Sequence, residues 1–372
     1  MSYEVTTTLA PRDEARYVAS QWKLIWWKFT GHRLAVFACF VLAALYLVAI
    51  ICPVLAPNDP HKRNAARSFA SPQRIHLFHE GRLQRPFVYS QTRTIDAETL
   101  ARSYSEDRAR PLPIRVFVKG DPYGLWGLFS CERHLIGLDG GERLYLMGAD
   151  RLGRDLFSRT LYGSRISLSL GLVGVFISLA LGIVIGGVSG YYGGLVDDAV
   201  QRLIEVLRSF PTIPLWLALS AAMPPYWPVV KVYFCMTLIL ALIGWTEVAR
   251  VVRGKILALR EEGYAVAAQV AGVREFTIIM RHLVPGFASH LIVTMTLRVP
   301  EMILAETSLS FLRLGLRPPA ISWGVLLQDA QNVRAIVMYP WLMLPMAFVI
   351  VTVLMFNFFG DGLRDAADPY SR

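Results

Sequence analysis

Three charged residues lie within an otherwise apolar stretch in the C-terminal quarter of the chain. Arg298 and Glu301 are three residues apart, and Glu306 follows five residues later. A charge near the centre of a bilayer costs about 2.5 to 3.5 kcal/mol on insertion scales, so such residues pair with each other or face a wet cavity. The spacing therefore indicates either a path for a solute through a membrane or a structural pair of Arg298 with Glu301.

Motifs that would let the chain hydrolyse ATP by itself are missing from the sequence. A phosphate-binding loop has the pattern GxxxxGK[ST], in which backbone amides surround the phosphates. The one Gly-Lys pair outside the segment between the first two apolar runs, Gly254-Lys255, is followed by Ile256, and Ala249 stands where the first glycine would be. Any ATP and Mg²⁺ must then be bound by another protein.

The sequence also has no HExxH, CxxC or GxSxG pattern, and its seven histidines are scattered. His76 and His79 are three residues apart in a polar segment, and we interpret them as unliganded. The prediction is a protein that is not an enzyme and that holds no metal or cofactor. A membrane-embedded enzyme that uses Arg298, Glu301 and His290 remains an alternative.

The composition is typical of a membrane protein. Hydrophobic residues make up 54% of the 372 residues and charged residues 18%, whereas soluble domains have about 25% charged residues. The formal charge of +10 fits cytoplasmic loops that lie against anionic lipid, and no nucleic-acid motif accompanies it. We interpret the four cysteines as unpaired thiols; the alternative is a bridge between Cys52 and Cys131.

Apolar runs long enough to cross a bilayer core of about 30 Å predict six transmembrane helices. The first, second and sixth, at residues 34–58, 166–196 and 335–360, contain no acidic or basic residue. The third span lies at about 200–223 with a kink near Pro211, the fourth at about 229–250, and the fifth at about 286–312. The predicted fold class is therefore an all-α, six-helix membrane protein with a large external loop between the first two helices.

Basic residues beside the spans place both chain termini in the cytoplasm. Residues 1–33 form a cytoplasmic tail, 34–57 the first span, 58–163 an external loop or small domain, 164–360 the transmembrane core with a cytoplasmic loop at 251–285, and 361–372 a second cytoplasmic tail. Val18, Trp22, Ile25, Trp26 and Phe29 in the first tail have helical spacing. They predict an amphipathic helix in the lipid headgroup region; the alternative is a helix packed on its own protein.

Small residues recur every four positions in the second span, which predicts a face where another helix approaches closely. They are Gly174, Ser178, Gly182, Gly186 and Gly190.

The cytoplasmic loop resembles a signature of bacterial ATP-binding-cassette importers. In their membrane subunits this loop reads EAA, three residues, Gly, nine residues, then IxLP. Here Tyr264-Ala-Val-Ala-Ala268 is followed by Gly272 and by His282-Leu-Val-Pro285, with Val266 in the acidic position. The resemblance implies that this loop contacts a partner ATPase. The implied contact residues are Tyr264, Ala267, Ala268, Gly272, Arg274, His282 and Pro285.

Four further stretches resemble the oligopeptide and dipeptide permease branch, and within it the second of the two membrane subunits. They are GADRLGRD at 148–155, LYGSRISL at 161–168, LSFLRLG at 309–315 with the nearby Pro318-Pro319 and Ser322-Trp-Gly324, and FNFFGDGLRD at 356–365 with Asp368-Pro369. The resemblance implies a type I importer permease in the bacterial inner membrane. Its implied partners are a second homologous permease, two ATPases that bind ATP and Mg²⁺, a periplasmic substrate-binding protein and membrane lipid.

The resemblance leaves the identity of the transported solute open. Peptides are the first expectation, and an oligosaccharide, an opine or a nickel complex are alternatives because the binding protein usually sets selectivity in this family. An ion-coupled secondary transporter would need no ATPase and usually has an inverted repeat. No convincing repeat is found in the sequence.

Overall fold

The computed structural model describes residues 20–80, 82–95, 102–125, 129–139 and 142–368. Val18 of the predicted amphipathic helix and residues 369–372 of the predicted C-terminal tail lie outside these ranges. The helices, labelled in chain order, are α1 Gln21–Gly31, α2 Arg33–Leu55, α3 Leu156–Tyr192, α4 Gly194–Ser209, α5 Thr212–Ala221, α6 Val229–Leu259, α7 Gly263–Val270, α8 Ala288–Phe311, α9 Trp323–Leu326, α10 Val333–Met338 and α11 Leu344–Ala367.

Within the described ranges, five helical stretches are long and apolar enough to cross a membrane. They are Arg33–Leu55, Leu156–Tyr192, Val229–Leu259, Glu275–Phe311 and Pro340–Ala367. The predicted third span is a pair of helices, α4 and α5, bent by 83° at a short break. Pro211 lies in that break, where the predicted kink would fall, because proline has no N–H to continue the helix. The count of six holds only if this bent pair is one span.

Several helices begin at other residues than the predicted apolar runs, and two of these differences have a local cause. The second span begins at Leu156, ten residues before the predicted start, because Asp155 caps the helix: its carboxylate accepts the backbone N–H of Phe157 at 3.1 Å and of Ser158 at 3.0 Å. The sixth span was predicted from residue 335, but a break at Tyr339 separates α10 from the stretch that begins at Pro340. Hydropathy alone missed both boundaries because capping and chain breaks depend on single polar residues or prolines.

The all-α prediction was wrong for residues 76–138. These residues form a four-stranded antiparallel sheet in the order β1 His76–His79, β2 Arg82–Ile95, β3 Arg102–Leu125 and β4 Phe129–Leu138. A search for long apolar runs does not detect such a sheet, because most of its side chains are polar and exposed. One small buried cluster beneath it contains Val88, Leu138 and Leu144.

The small residues of α3 face α6. A Cβ on Gly182 would lie 2.4 Å from the Cβ of Val248, and a Cβ on Gly186 would lie 2.4 Å from the carbonyl oxygen of Ala249. Gly244 of α6 contributes to the same contact, since its Cβ would lie 2.6 Å from Ser178 Oγ. The two backbones therefore approach more closely than helices with larger side chains can. Gly190 and Gly174 continue this face towards the two ends of α3, where a Cβ would meet the Arg253 backbone and the Met302 side chain.

Helix α1 has one face on the protein and one face exposed. Phe29 is buried and contacts Phe359 edge to face, with ring centroids 5.5 Å apart, and Ala366 lies in the same cluster. Trp22 and Trp26 are 56% and 63% exposed. The helix thus packs on α11 with one face, and its tryptophans lie on the exposed face; contact of these tryptophans with lipid headgroups stays a prediction.

Candidate functional site

The loop between α6 and α8 is anchored in the core by its inner face. Ala265 and Ala268 of α7 are buried against Ile278 and Leu283 of the following helical segment. Small side chains suit this position because they let the short helix lie close to the rest of the protein. Of the seven residues implied by the resemblance, Ala268 therefore points into its own protein, and the other six are exposed.

The outer face of α7 is apolar and exposed. Tyr264, Val266 and Val270 are 47%, 43% and 84% exposed, and Phe276, a short distance along the chain, is 59% exposed. Ala267 is exposed beside them. A contiguous apolar surface of this kind is typical of a contact site for another protein.

Gly272 ends α7 with a positive φ of +76°. The N–H of Gly272 donates to the carbonyl of Gln269 at 2.9 Å, and the N–H of Val273 donates to the carbonyl of Ala268 at 3.1 Å. These bonds satisfy carbonyls at the end of the helix in a geometry that favours glycine. Within the described part of the chain, no atom lies within 4 Å of the place where a Cβ would be, so the constraint is conformational and not steric.

The C-terminal end of α3 holds the loop in place. Gln269 donates to Tyr191 Oη at 3.0 Å, and the hydroxyl of Tyr192 donates to Glu275. Arg260, just after α6, donates to the carbonyls of Gly190 and Tyr191 at 3.3 Å each. A displacement of the loop is thereby connected to α3 as well as to α6.

The two charged residues at 298 and 301 line a cavity of about 340 Å³ between α4, α5, α6 and α8. Arg298 forms its shorter ion pair with Glu247 of α6 and a second one, at 3.5 Å, with Glu301. Arg208 of α4 approaches Glu247 at 3.9 Å. The sequence analysis missed Glu247, although it is the one acidic residue in the predicted fourth span and that isolation was an available signal.

Glu306, the third predicted path residue, does not line this cavity. It is fully buried, and its carboxylate accepts hydrogen bonds from Ser310 at 2.8 Å, Ser322 at 2.7 Å and Ser167 at 3.2 Å. Ser167 in turn accepts the backbone N–H of Trp323 at 3.1 Å. Glu306 therefore connects α3, α8 and the start of α9.

The two histidines singled out by their spacing lie in the sheet. His79 Nδ1 lies 3.1 Å from Tyr89 Oη, and the ring of His76 lies beside that of Phe87, so both histidines belong to the sheet. Across the described ranges, no three His, Cys, Asp or Glu side chains are arranged to hold a metal ion. All four cysteines are free thiols; Cys52 is buried in α2, and Cys131 lies on β4.

A bundle of helices that are long and apolar enough to cross a membrane, with a charged cavity among them, is typical of an integral membrane protein. The family described as "Binding-protein-dependent transport system inner membrane component" matches residues 182–372, and the chain belongs to this family. The description "N-terminal TM domain of oligopeptide transport permease C" matches residues 20–72. The chain is thus a multi-pass inner membrane permease subunit of an ATP-binding-cassette importer, with the type I permease fold, in the oligopeptide and dipeptide branch, as the resemblance predicted.

Three relatives illustrate the match. The oligopeptide transport system permease protein OppC of Bacillus subtilis is 37% identical over 60% of this chain and 72% of its own length. The dipeptide transport system permease protein DppC of the same organism is 40% identical over 60% of this chain and 68% of its own length. The glutathione transport system permease protein GsiD of Pectobacterium atrosepticum is 38% identical over 67% of this chain and 79% of its own length. These relatives are transport permeases, and the chain is accordingly not an enzyme.

Proposed function

We propose that this chain and a second homologous permease form the path through which an importer carries peptides or similarly sized solutes. Two partner ATPases, which bind ATP and Mg²⁺, act on the loop at residues 255–285. A periplasmic binding protein delivers the solute to the opposite side. Both termini lie in the cytoplasm, and lipid surrounds the helices.

The single observation that carries this proposal is the two-sided construction of α7. Its inner face, at Ala265 and Ala268, is part of the core, whereas its outer face exposes Tyr264, Val266 and Val270. A short helix with this division is rigidly attached to its own protein and still presents an apolar surface to a partner.

Helix α6 connects that surface to the cavity. It runs without a break from Val229 to Leu259, and only three residues separate its end from α7. Glu247 lies on the same helix and binds Arg298 in the cavity. A partner that moves the loop therefore moves one wall of the cavity, which is the two-state behaviour that alternating access requires.

The relatives point to peptides as the solute. Their names cover oligopeptides, dipeptides and glutathione, which is itself a tripeptide. An oligosaccharide, an opine or a nickel complex remains the second candidate, because the delivering binding protein would set the choice.

The test exchanges Gly272 for valine and uses Gly263→Val as the matched control. Both positions are exposed and have open space at Cβ, but only Gly272 has a positive φ. A left-handed conformation costs a non-glycine residue about 1 to 2 kcal/mol, so we expect about a tenfold loss of peptide-stimulated ATP hydrolysis in the purified importer for Gly272→Val alone.

The same preparations are examined for membrane insertion and for co-purifying ATPases. Insertion should be unchanged in both variants, since the loop lies outside the predicted spans. If Gly272→Val hydrolyses ATP and imports peptide as the wild type does, or if the wild-type chain purifies with no ATPase, the role of the loop is refuted.

A further inference from the structure

A second cavity, of about 360 Å³, lies where the turn before α3 meets the connection between α8 and α9. Its lining is strongly basic. Six arginines contribute to it: Arg63, Arg151, Arg154, Arg159, Arg313 and Arg317. Two aspartates, Asp150 and Asp329, are the acidic residues of the lining.

Arg159 lies at the base of this cavity with unused donors. The residue is 2% exposed, and among the described residues its Nε and Nη1 have no hydrogen-bond partner. Asp150 Oδ2 is 3.4 Å from Nη1, which is an ion-pair distance but not an aligned hydrogen bond. Asp150 therefore partly neutralises the charge of Arg159, but the Nε and Nη1 donors of Arg159 remain without hydrogen-bond acceptors among the described residues.

Asp150 can supply at most one of the missing acceptors, because its carboxylate already accepts three hydrogen bonds. Its Oδ1 accepts the backbone N–H of Leu152 at 2.8 Å and of Arg154 at 2.9 Å, and its Oδ2 accepts Arg154 Nε at 2.6 Å. The second acid of the lining, Asp329, pairs with Arg151 at 3.6 Å. A buried guanidinium with unsatisfied donors is costly, and its presence calls for an acceptor that enters from outside the chain.

The mouth of the cavity carries further positive charge. Arg313 and Arg317 are exposed there and form no ion pair with any residue in the described ranges. Arg313 has a φ of +63°, a conformation uncommon for a non-glycine residue. Arg317 Nε donates to the backbone carbonyl of Arg313 at 2.9 Å, which positions the Arg317 side chain at the mouth. An anion approaching this mouth would be attracted before it reached Arg159.

We propose that this cavity binds the carboxylate group of an incoming solute, with Arg159 as the donor at its base. A carboxylate carries one charge and two acceptor oxygens, which suits a guanidinium with unpaired N–H groups. The volume lies within the range of about 300 to 1,000 Å³ that is common for small-molecule sites.

The assignment of the carboxylate to a peptide C-terminus rests on the proposed function. The cavity is bounded by Leu156 at the start of α3 and by the segment after α8, and so lies at the ends of two predicted spans. By the predicted topology this is the external side, where a solute arrives. The site would therefore hold the solute before it reaches the cavity of Arg298.

The test measures ligand binding to the purified importer in lipid nanodiscs, without its binding protein, by saturation-transfer NMR. The probes are trialanine, trialanine amide, propionate and inorganic phosphate. We expect trialanine and propionate to bind and the amide, which lacks the carboxylate, to bind at least about tenfold more weakly, as for the loss of a charge-assisted hydrogen bond.

Two variants and one control locate the binding. Arg159→Met should weaken propionate and trialanine about tenfold. Arg317→Gln, at the exposed mouth, should weaken binding of propionate and trialanine about two- to fivefold. Because Arg317 is exposed, this variant tests the site even if the buried variant Arg159→Met fails to fold. The control is Arg85→Gln, an exposed arginine on β2 outside the cavity lining.

The outcomes separate this site from the proposed function. If propionate binding depends on Arg159 but the importer carries no peptide, the site is supported and peptide import is refuted. Equal binding in the wild type and both variants, with peptide import intact, would refute the site alone. Equal affinity for trialanine and its amide, or tighter binding of phosphate than of propionate, would also overturn the assignment.

Discussion

Arg298 of α8 is bound to Glu247 of α6, on a neighbouring helix, more closely than to Glu301 one turn along its own helix. The Arg298 side chain is 15% exposed, whereas that of Glu301 is 66% exposed. Arg208 of α4 also approaches Glu247. The Glu247 carboxylate thus connects three helices around the cavity, and Glu301 contributes less to holding these helices together.

This difference predicts unequal effects of two similar substitutions. Glu247→Gln should lower the melting temperature of the detergent-solubilised importer by about 2 to 4 °C, because Arg298 loses its main partner in a partly buried site. Glu301→Gln should leave the melting temperature nearly unchanged, since its pair is exposed. Thermal unfolding of the two purified variants measures this, and equal shifts would argue against it. The double exchange Glu247→Arg with Arg298→Glu should recover part of the lost stability.

The pairing of Arg298 also shows where sequence reasoning stops. Spacing on one helix correctly brought Arg298 and Glu301 within ion-pair distance, because residues three apart lie on the same face. The partner at position 247 is 51 residues away and depends on how α6 packs on α8. Glu306 looked similar to the other two by sequence, yet three hydroxyl donors from separate segments enclose it. Long-range packing of this kind is not encoded in local spacing.

The same distinction between local patterns and long-range packing applies to the fold. The apolar runs found the main spans, and the four-residue repeat of glycines found the contact face of α3, because both are local periodicities. The sheet at residues 76–138 was missed, since its strands are stabilised by pairing between distant segments and bury little apolar surface. The 83° break between α4 and α5 was located by Pro211, but its angle depends on tertiary contacts.

The close contact of α3 with α6 should make Gly186 intolerant of any side chain. A Cβ at this position would lie 2.4 Å from the Ala249 carbonyl oxygen and 2.7 Å from its Cα, and backbone atoms cannot rotate away. Gly186→Ala should therefore destabilise the chain by about 1 to 3 kcal/mol. The control is Gly254→Ala on α6, where a Cβ has open space within the described structure. Size-exclusion profiles of fluorescent fusions compare the two, and a normal profile for Gly186→Ala would show that the helices separate more easily than the contact implies.

Glu306 should behave as a structural residue and not as part of the solute path. Glu306→Gln keeps an acceptor oxygen for Ser310 and Ser322, whereas Glu306→Leu leaves these hydroxyls and that of Ser167 without their acceptor. Each buried unsatisfied group costs about 1 to 3 kcal/mol, so the leucine variant should lose most of its folded yield. The glutamine variant should keep folded yield and most of its peptide uptake. Normal yield with abolished uptake for Glu306→Gln would instead place the carboxylate in transport.

Acidification should strengthen anion binding in the arginine-lined cavity through Asp329. Burial raises the pKa of this carboxyl above its ordinary value, the neighbouring Asp150 raises it further, and Arg151, Arg154 and Arg159 oppose the shift. Because the folded pKa is raised, the protonated form is favoured by folding. The stabilising contribution of Asp329 is complete below the ordinary pKa of about 3.9 and is lost as the pH rises through the raised value. Protonation removes one negative charge from the cavity lining, so an anion binds more tightly as the pH falls.

Trifluoroacetate is the suitable probe for this effect because its carboxylate stays ionised throughout the range from about pH 7 to about pH 5. Its ¹⁹F signal should report tighter binding to the wild-type importer at the lower pH. Asp329→Asn should bind trifluoroacetate more tightly than the wild type at neutral pH, and its affinity should depend less on pH. The control is Asp139→Asn, which removes an exposed carboxylate paired with Arg115 outside the cavity lining. If Asp329→Asn retains the wild-type pH dependence, the titrating group is another one and Asp329 does not control the charge of this site.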